Sequence, residues 1–193
     1  MVMDRRGAVE RMLAARGDAL VVTGLGSPSY DAHAAGDHDA NYYLWGAMGG
    51  AALVGLGLAI AQPQRRVMVI TGDGEQLMGL GGLATIAVAE PAKLDVFVLD
   101  NEHYGETGMQ ASHTGRGIDV AAVAESCGFA QTAVLRTLDD VDALVASDDW
   151  AAGEGPRLYV VKIRSESPPR SLPIRDAVHI KNRFRAHLGL QPN

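Results

Sequence analysis

Five short apolar runs rich in valine, isoleucine and leucine punctuate this chain, at 19–23, 66–71, 95–100, 131–135 and 158–163. Runs of that length with little polar alternation are the pattern of strands covered on both faces. Between them apolar positions recur at helical spacing, which predicts helices over 4–15, 48–61, 76–89, 119–127 and 139–147. Strand and helix alternate, so the expected fold is α/β, a parallel β-sheet flanked by helices on both faces. A last helix is predicted over 174–188, where Ala177, Ile180, Phe184 and Leu188 form one stripe among basic residues. It follows the stop at Pro168-Pro169 and packs either on this domain or on a partner. The longest apolar stretch, 48–61, is glycine-rich, too short to span a bilayer, and reads as a buried helix. No repeat, low-complexity tract or interdomain linker interrupts the pattern, so 1–193 reads as a single domain.

Composition narrows the class. The 193 residues are 47% hydrophobic, enough for one sizeable core. A net charge of −6 argues against nucleic acid or an anionic membrane as partner. One cysteine, Cys127, leaves no internal disulfide and fits a reducing compartment. Its place in an apolar helix before Gly128 reads as a buried structural thiol. Residues 1–18 are charged and broken by Gly7 and Gly17, unlike a secretory signal. A cytoplasmic enzyme domain without membrane attachment is the expectation.

The strongest chemical signal lies at two strand ends. Gly72-Asp73-Gly74 closes the run at 66–71, and Asn101 closes the run at 95–100, 28 positions after Asp73, with a helical stretch between. Adjacent parallel strands would bring these two oxygen ligands together above one sheet edge, beside a helix N-terminus. That is a place for a hard cation and a diphosphate. The plainer alternative is a turn begun by Asp73 and a cap formed by Asn101. A dinucleotide site competes less well. Gly24-Leu25-Gly26-Ser27-Pro28-Ser29 has Ser where the third glycine should be, and Pro28 is expected to interrupt a helix start. No Gly-Lys-Ser/Thr exists for a P-loop, so nicotinamide, flavin and ATP fall behind. Asp31, His33, Asp37, His38 and Asp39 mimic a metal cluster, but the intervening Ala-Ala-Gly gives no converging register. They read as a mobile loop near the active site.

Gly-Asp-Gly followed at this distance by Asp100-Asn101, and then by Glu102-His103-Tyr104-Gly105, resembles the cofactor signature of thiamine diphosphate enzymes. The segment 41–49, leading into a glycine- and alanine-rich helix, resembles the pyrimidine-binding segment of decarboxylases in that family. With 24–30, 72–82 and 101–110 the likeness covers most of the chain. It is to the beta subunits of sulfopyruvate decarboxylases and the C-terminal halves of phosphonopyruvate decarboxylases. The resemblance implies a diphosphate-binding domain in which Mg²⁺ is held by Asp73, the Asn101 side chain and the His103 backbone carbonyl. Diphosphate oxygens and a water complete an octahedron. It places Gly72, Gly74, Glu75, Gln76, Tyr104 and Gly105 at the cofactor, with the Gly46 carbonyl accepting from the 4′-amino group and Met48 wedged between the two rings. Plain core filling is the alternative for Met48. Glu75 departs from the pattern, since these decarboxylases usually carry a small residue there. A carboxylate gains from the helix dipole but opposes phosphate charge. Glutamate does occur there in transketolase-like relatives, so the departure bears on substrate class rather than on cofactor binding.

The implied activity is decarboxylation of a small anionic 2-oxo acid, such as sulfopyruvate or phosphonopyruvate, to an aldehyde and CO₂, with thiamine diphosphate as electron sink. The loop 105–117 carries the remaining candidates, with Ser112 and Thr114 among the hydrogen-bond donors it offers to the substrate anion. Arg116 suits a forked contact with the substrate anion, Gln110 a further hydrogen bond, and His113 a proton relay near neutral pH as catalytic residue. Each reads equally as a solvated loop residue. In this family a glutamate on a separate pyrimidine-binding domain protonates the cofactor's N1′. Glu10, Glu90, Glu102, Glu125, Glu154 and Glu166 each read as helix-face or loop residues. The catalytic glutamate is therefore expected on another polypeptide, the alpha subunit of an α₂β₂ heterotetramer. A carboligase or lyase subunit, or a non-catalytic cofactor-binding subunit, is the alternative.

Overall fold

Apolar runs become strands in the expected places, and short polar segments between them supply elements that periodicity does not show. The computed structural model describes residues 3–191; Met1 and Val2, at the head of the charged stretch 1–18, lie outside them. In chain order the first half contains α1 (Arg5–Ala14), β1 (Leu20–Thr23), α2 (Ser27–Ala34), β2 (Asn41–Tyr43), α3 (Ala51–Ala61), β3 (Val67–Gly72), α4 (Asp73–Met78) and α5 (Gly82–Ala89). The second half contains β4 (Lys93–Asp100), the short pair β5 (His103–Tyr104) and β6 (Gln110–Ala111), α6 (Val120–Cys127), β7 (Gln131–Leu135), α7 (Leu138–Val145), α8 (Asp148–Ala152), β8 (Gly155–Lys162) and α9 (Ala177–His187).

Among the described residues six strands form one parallel sheet in the order β2-β1-β3-β4-β8-β7. Alternate side chains feed two cores. Leu20, Val22, Val67, Val69, Val96 and Val98 pack under α3, α5 and α6, while Val21, Met68, Ile70, Phe97 and Tyr159 pack under α1 and α7. Both faces are thus covered, which explains why the strands read as continuous apolar runs. No helix among the described residues is long and apolar enough to cross a membrane.

Several expectations are corrected. Pro28 does not interrupt a helix; it occupies the first turn of α2, where a missing N–H costs no hydrogen bond and its fixed φ suits the helix. Asp31 and His33 are not in a mobile loop but on α2. Asp31 is buried in an ion pair with Arg5, and Arg6 Nε lies 3.1 Å from it. The helix predicted over 76–89 begins at Asp73 and divides into α4 and α5. At the break, a Cβ on Gly79 would meet the Gly49 carbonyl oxygen at 2.0 Å, so two backbones touch where a continuous helix bearing side chains could not. The last helix starts at Ala177 and packs on this domain, with Phe184 edge-on to Tyr42 at 5.6 Å and Arg183 paired with Asp37 at 2.7 Å. Cys127 is half-buried against the core rather than fully buried.

Candidate active site

Across the sheet the chain steps outward from β1 to β2, then returns to β3 on the other side of β1 and continues to β4. At such a reversal the loops leaving neighbouring strand ends diverge and open a crevice. A cavity of about 110 Å³ lies there. Leu25, Ser27 and Pro28 line it from the β1 end, Gly72, Asp73, Gly74 and Glu75 from the β3 end, and Asn101, His103, Tyr104 and Gly105 from the β4 end. Met48 completes it from the loop before α3. Nine of the sequence-predicted site residues therefore share one wall-to-wall space: Met48, Gly72, Asp73, Gly74, Glu75, Asn101, His103, Tyr104 and Gly105.

Asp73 opens α4 and is only 3% exposed. Pairing of Gly72 with Leu99 sets the end of β4 beside it. Ser112 Oγ donates to Asp73 Oδ2 at 2.5 Å, and Thr114 Oγ1 lies 3.2 Å from the same oxygen. Thr114 Oγ1 also sits 2.7 Å from Asp100 Oδ1. A hydroxyl carries one proton, so Thr114 serves one carboxylate at a time. Lys162 Nζ neutralises Asp100 at 2.7 Å, whereas Asp73 is met by the neutral donors of Ser112, Thr114 and the Gly74 amide. Burial, with the Asp100 charge adding to it, pushes the Asp73 carboxyl up to about 6 against the pull of those hydrogen bonds.

This environment fits a divalent cation, which would supply the positive charge that the buried carboxylate lacks. The other donors are oxygens as well. Asn101 Oδ1 accepts from the His103 N–H at 3.0 Å, and the His103 carbonyl accepts from the Gly105 N–H at 3.1 Å. Each oxygen is oriented by one bond and keeps a second lone pair, and an all-oxygen set suits Mg²⁺. The His103 ring is engaged elsewhere, its Nδ1–H donating to the Asn101 carbonyl at 2.8 Å.

Tyr104 lies on the backbone of Gly74, where a Cβ would come within 2.8 Å of its ring. Its hydroxyl is hydrogen-bonded to His113 Nδ1 at 2.7 Å. His113 is itself exposed and outside the cavity lining, so it reaches the cavity through Tyr104. Gln110 and Arg116 are likewise exposed and outside the lining; Gln110 Nε2 donates to the Thr107 carbonyl. Gly46 is exposed and Gln76 buried, neither lining the cavity. Met48 is 38% exposed at the wall. Ala47, Glu102 and Met109, all non-glycine, adopt φ of 52°, 64° and 61° in the loops around the site, strain held by the surrounding packing.

Glu75 is 5% exposed. The Gly49 N–H donates to its Oε1 at 3.3 Å, and burial pushes its carboxyl up while nearby donors, among them the Gly49, Ala51 and Leu25 amides, partly offset this. Thr71 Oγ1 lies close by, yet neither it nor Glu75 Oε2 makes a hydrogen bond of good geometry. One oxygen of this carboxylate thus accepts from the backbone of the Met48 loop, and the other has no hydrogen bond.

Sequence reasoning missed Arg5, Ser27, Glu106 and Ile163 on the cavity wall, and it assigned Ser112 and Thr114 to the substrate anion, whereas both hydroxyls stand behind Asp73. Ser27-Pro28 was findable as a helix start. Arg5 had no local signal, and the partner of the two hydroxyls had none either, being brought in from a distant part of the chain.

Residues 26–161 match the family described as thiamine pyrophosphate enzyme, C-terminal TPP binding domain. The chain is 39% identical over 184 residues to sulfopyruvate decarboxylase subunit beta of Methanothermobacter thermautotrophicus, covering 95% of each. It is 38% identical over 195 residues to phosphonopyruvate decarboxylase of Streptomyces viridochromogenes, covering 97% of this chain and 47% of that protein. A shorter match, 34% over 102 residues, links it to chloroplastic acetolactate synthase 2 of Zea mays, covering 47% of this chain and 15% of that protein. The chain thus spans nearly the whole of the first relative and about half of the second.

Proposed function

This chain belongs to the thiamine pyrophosphate enzymes, among their decarboxylases, and from that premise we propose that it is the beta-type subunit of a two-subunit enzyme. The reaction is cleavage of a small anionic 2-oxo acid, of the sulfopyruvate or phosphonopyruvate kind, into an aldehyde and CO₂. The observation that carries this reading is Asp73, a buried carboxylate with neutral donors, in one cavity with Asn101 and His103.

When bound, thiamine diphosphate supplies a nucleophilic carbon and an electron sink for the departing carboxylate. Asp73, Asn101 and the His103 carbonyl would hold Mg²⁺, which would supply positive charge for the diphosphate. Tyr104 covers Gly74, and His113 fixes the Tyr104 hydroxyl, so His113 acts as a positioning residue. The Gly46 carbonyl and Met48 hold the ring end. The glutamate that activates the aminopyrimidine lies on the alpha partner, in an α₂β₂ assembly. Support for this comes from the glutamates in hand. Glu10, Glu90, Glu102, Glu125 and Glu154 are exposed, Glu75 accepts from the Gly49 amide, Glu106 lies 3.4 Å from Arg170, and Glu166 lies 3.4 Å from Arg164. Helices α3 and α4 also expose Leu53, Val54, Ile60 and Met78, apolar surface that a partner would cover.

The test is to mix this chain with an alpha subunit that carries the glutamate and assay pyruvate, sulfopyruvate and phosphonopyruvate with Mg²⁺ and thiamine diphosphate. Aldehyde and CO₂ from a sulfonate- or phosphonate-bearing acid, in preference to pyruvate, is the expected result. A product joining two acyl units would replace the reading by a carboligase, and no product from any acid by a non-catalytic subunit. In the same pair, Met48→Ala should slow hydrogen–deuterium exchange at the cofactor's C2 while leaving cofactor affinity nearly unchanged, because ring geometry matters to the reaction more than to holding the diphosphate. Exchange at the parent rate would return Met48 to a filler of the cavity wall.

A further inference from the structure

Three segments meet at Glu75. Its Oε1 accepts from Gly49 in the loop that carries Met48. Its Oε2 lies where the loop after β1 passes closest, and a Cβ on Gly24 would stand 1.8 Å from that oxygen. Its own backbone is the first turn of α4, the helix that Asp73 opens. The Gly49 loop and α4 touch again one turn later, where Gly79, which caps the end of α4, approaches the Gly49 carbonyl and Gly49 itself takes a φ of 93°. An uncharged small residue at this place would leave the Gly49 amide without that acceptor. A buried carboxylate that leaves one oxygen without a hydrogen bond is costly on its own account, so its contribution lies in what it ties together.

We propose that Glu75 is a positioning residue that fastens the Met48 loop to the helix carrying Asp73. It thereby sets the distance between the ring end and the diphosphate end of the bound cofactor. The proposal rests on the cofactor reading above. Without the tie, α4 and the metal ligands keep their own geometry, but the loop bearing Gly46 and Met48 moves independently of them. Ligands that use both ends should then suffer, and ligands that use the metal end alone should not.

The experiment is calorimetric titration of the full chain with Mg²⁺ and either thiamine diphosphate or inorganic diphosphate. Glu75→Met keeps side-chain volume and deletes the acceptors. It is expected to weaken thiamine diphosphate binding about tenfold or more, and inorganic diphosphate binding by less than about twofold. Glu75→Gln retains Oε1 and should restore the parent ratio. Gly24→Ala, whose methyl group displaces Oε2, should reproduce the selective loss with Glu75 intact. Amide exchange at Gly49 should quicken in Glu75→Met without ligand, which a defect confined to the metal site would not cause. Equal losses for both ligands, or no loss in either Glu75→Met or Gly24→Ala, overturns the proposal. So does a parent chain that binds thiamine diphosphate no more tightly than inorganic diphosphate. A parent that binds neither overturns the cofactor reading itself.

Discussion

Asp73→Asn is expected to abolish Mg²⁺-dependent binding of thiamine diphosphate while raising the melting temperature of the ligand-free chain at pH 7–8. Both effects come from one carboxylate. Its value in the folded chain is raised to about 6, from 3.8, first by burial and then by Asp100. Folding therefore favours the protonated form. The stability associated with that proton is present below 3.8 and is lost as pH rises through about 6. Above that pH the folded, ligand-free chain holds an ionised carboxylate among neutral donors, and asparagine removes that cost. A gain of several degrees is expected, at about 2–4 °C per kcal/mol for a chain of this size. At pH 4 the two proteins should melt nearly together. Binding should show the complementary dependence, the parent's affinity for Mg²⁺ falling below pH 6 as a proton competes for Asp73. Asn101→Ala should lose metal-dependent binding without the stability gain. Calorimetry and thermal melts over pH 4–8 check both. Unchanged cofactor affinity in both variants would remove the metal site, and a lower melting temperature for Asp73→Asn at pH 8 would contradict its electrostatics.

The isolated chain is expected to release no CO₂ from any 2-oxo acid, and to gain activity on mixing with the pyrimidine-domain subunit. Deprotonation at C2 requires a carboxylate beside the aminopyrimidine. The carboxylates on the cavity wall of this chain are Asp73, Glu75 and Glu106. Asp73 is engaged by Ser112 and Thr114, Glu75 by the Gly49 amide, and Glu106 sits by Ser27 and Arg170, each at 3.4 Å. The same cavity should bind cofactor in the absence of the partner, so binding without turnover is the diagnostic outcome. Solution mass should show a homodimer or loose oligomer, because α3 and α4 expose apolar side chains. Clear CO₂ release by the chain alone would refute the split site and assign the activating role to a glutamate within these residues.

Much of this protein follows from short-range pattern. Five β-branched runs became five of the six parallel strands, because a strand buried on both faces needs apolar side chains at consecutive positions. Gly72-Asp73-Gly74 and Asn101 were legible as partners, because parallel pairing of β3 with β4 carries both motifs to the same sheet edge. Strand β2 was not legible. Asn41-Tyr42-Tyr43 is too short to show a period, and it becomes a strand through pairing with β1. The break between α4 and α5 was hidden for a related reason, since the glycines at 79–81 sit within a helical pattern and only contact with Gly49 shows what they are for. The surroundings of Asp73 and of its neighbours depended most on tertiary structure. Ser112 and Thr114 reach Asp73 across 39 and 41 positions, Arg5 meets Asp31 across 26, and Glu75 meets Gly49 across the same distance. Apolar spacing and turn residues act within a strand or a helical turn, so the sequence by itself determined five of the six sheet strands, most of the helices and the two strand ends that carry Asp73 and Asn101. Which side chains surround those ends was decided by sheet order and loop path, because donors so far apart in the chain meet only when the sheet is assembled.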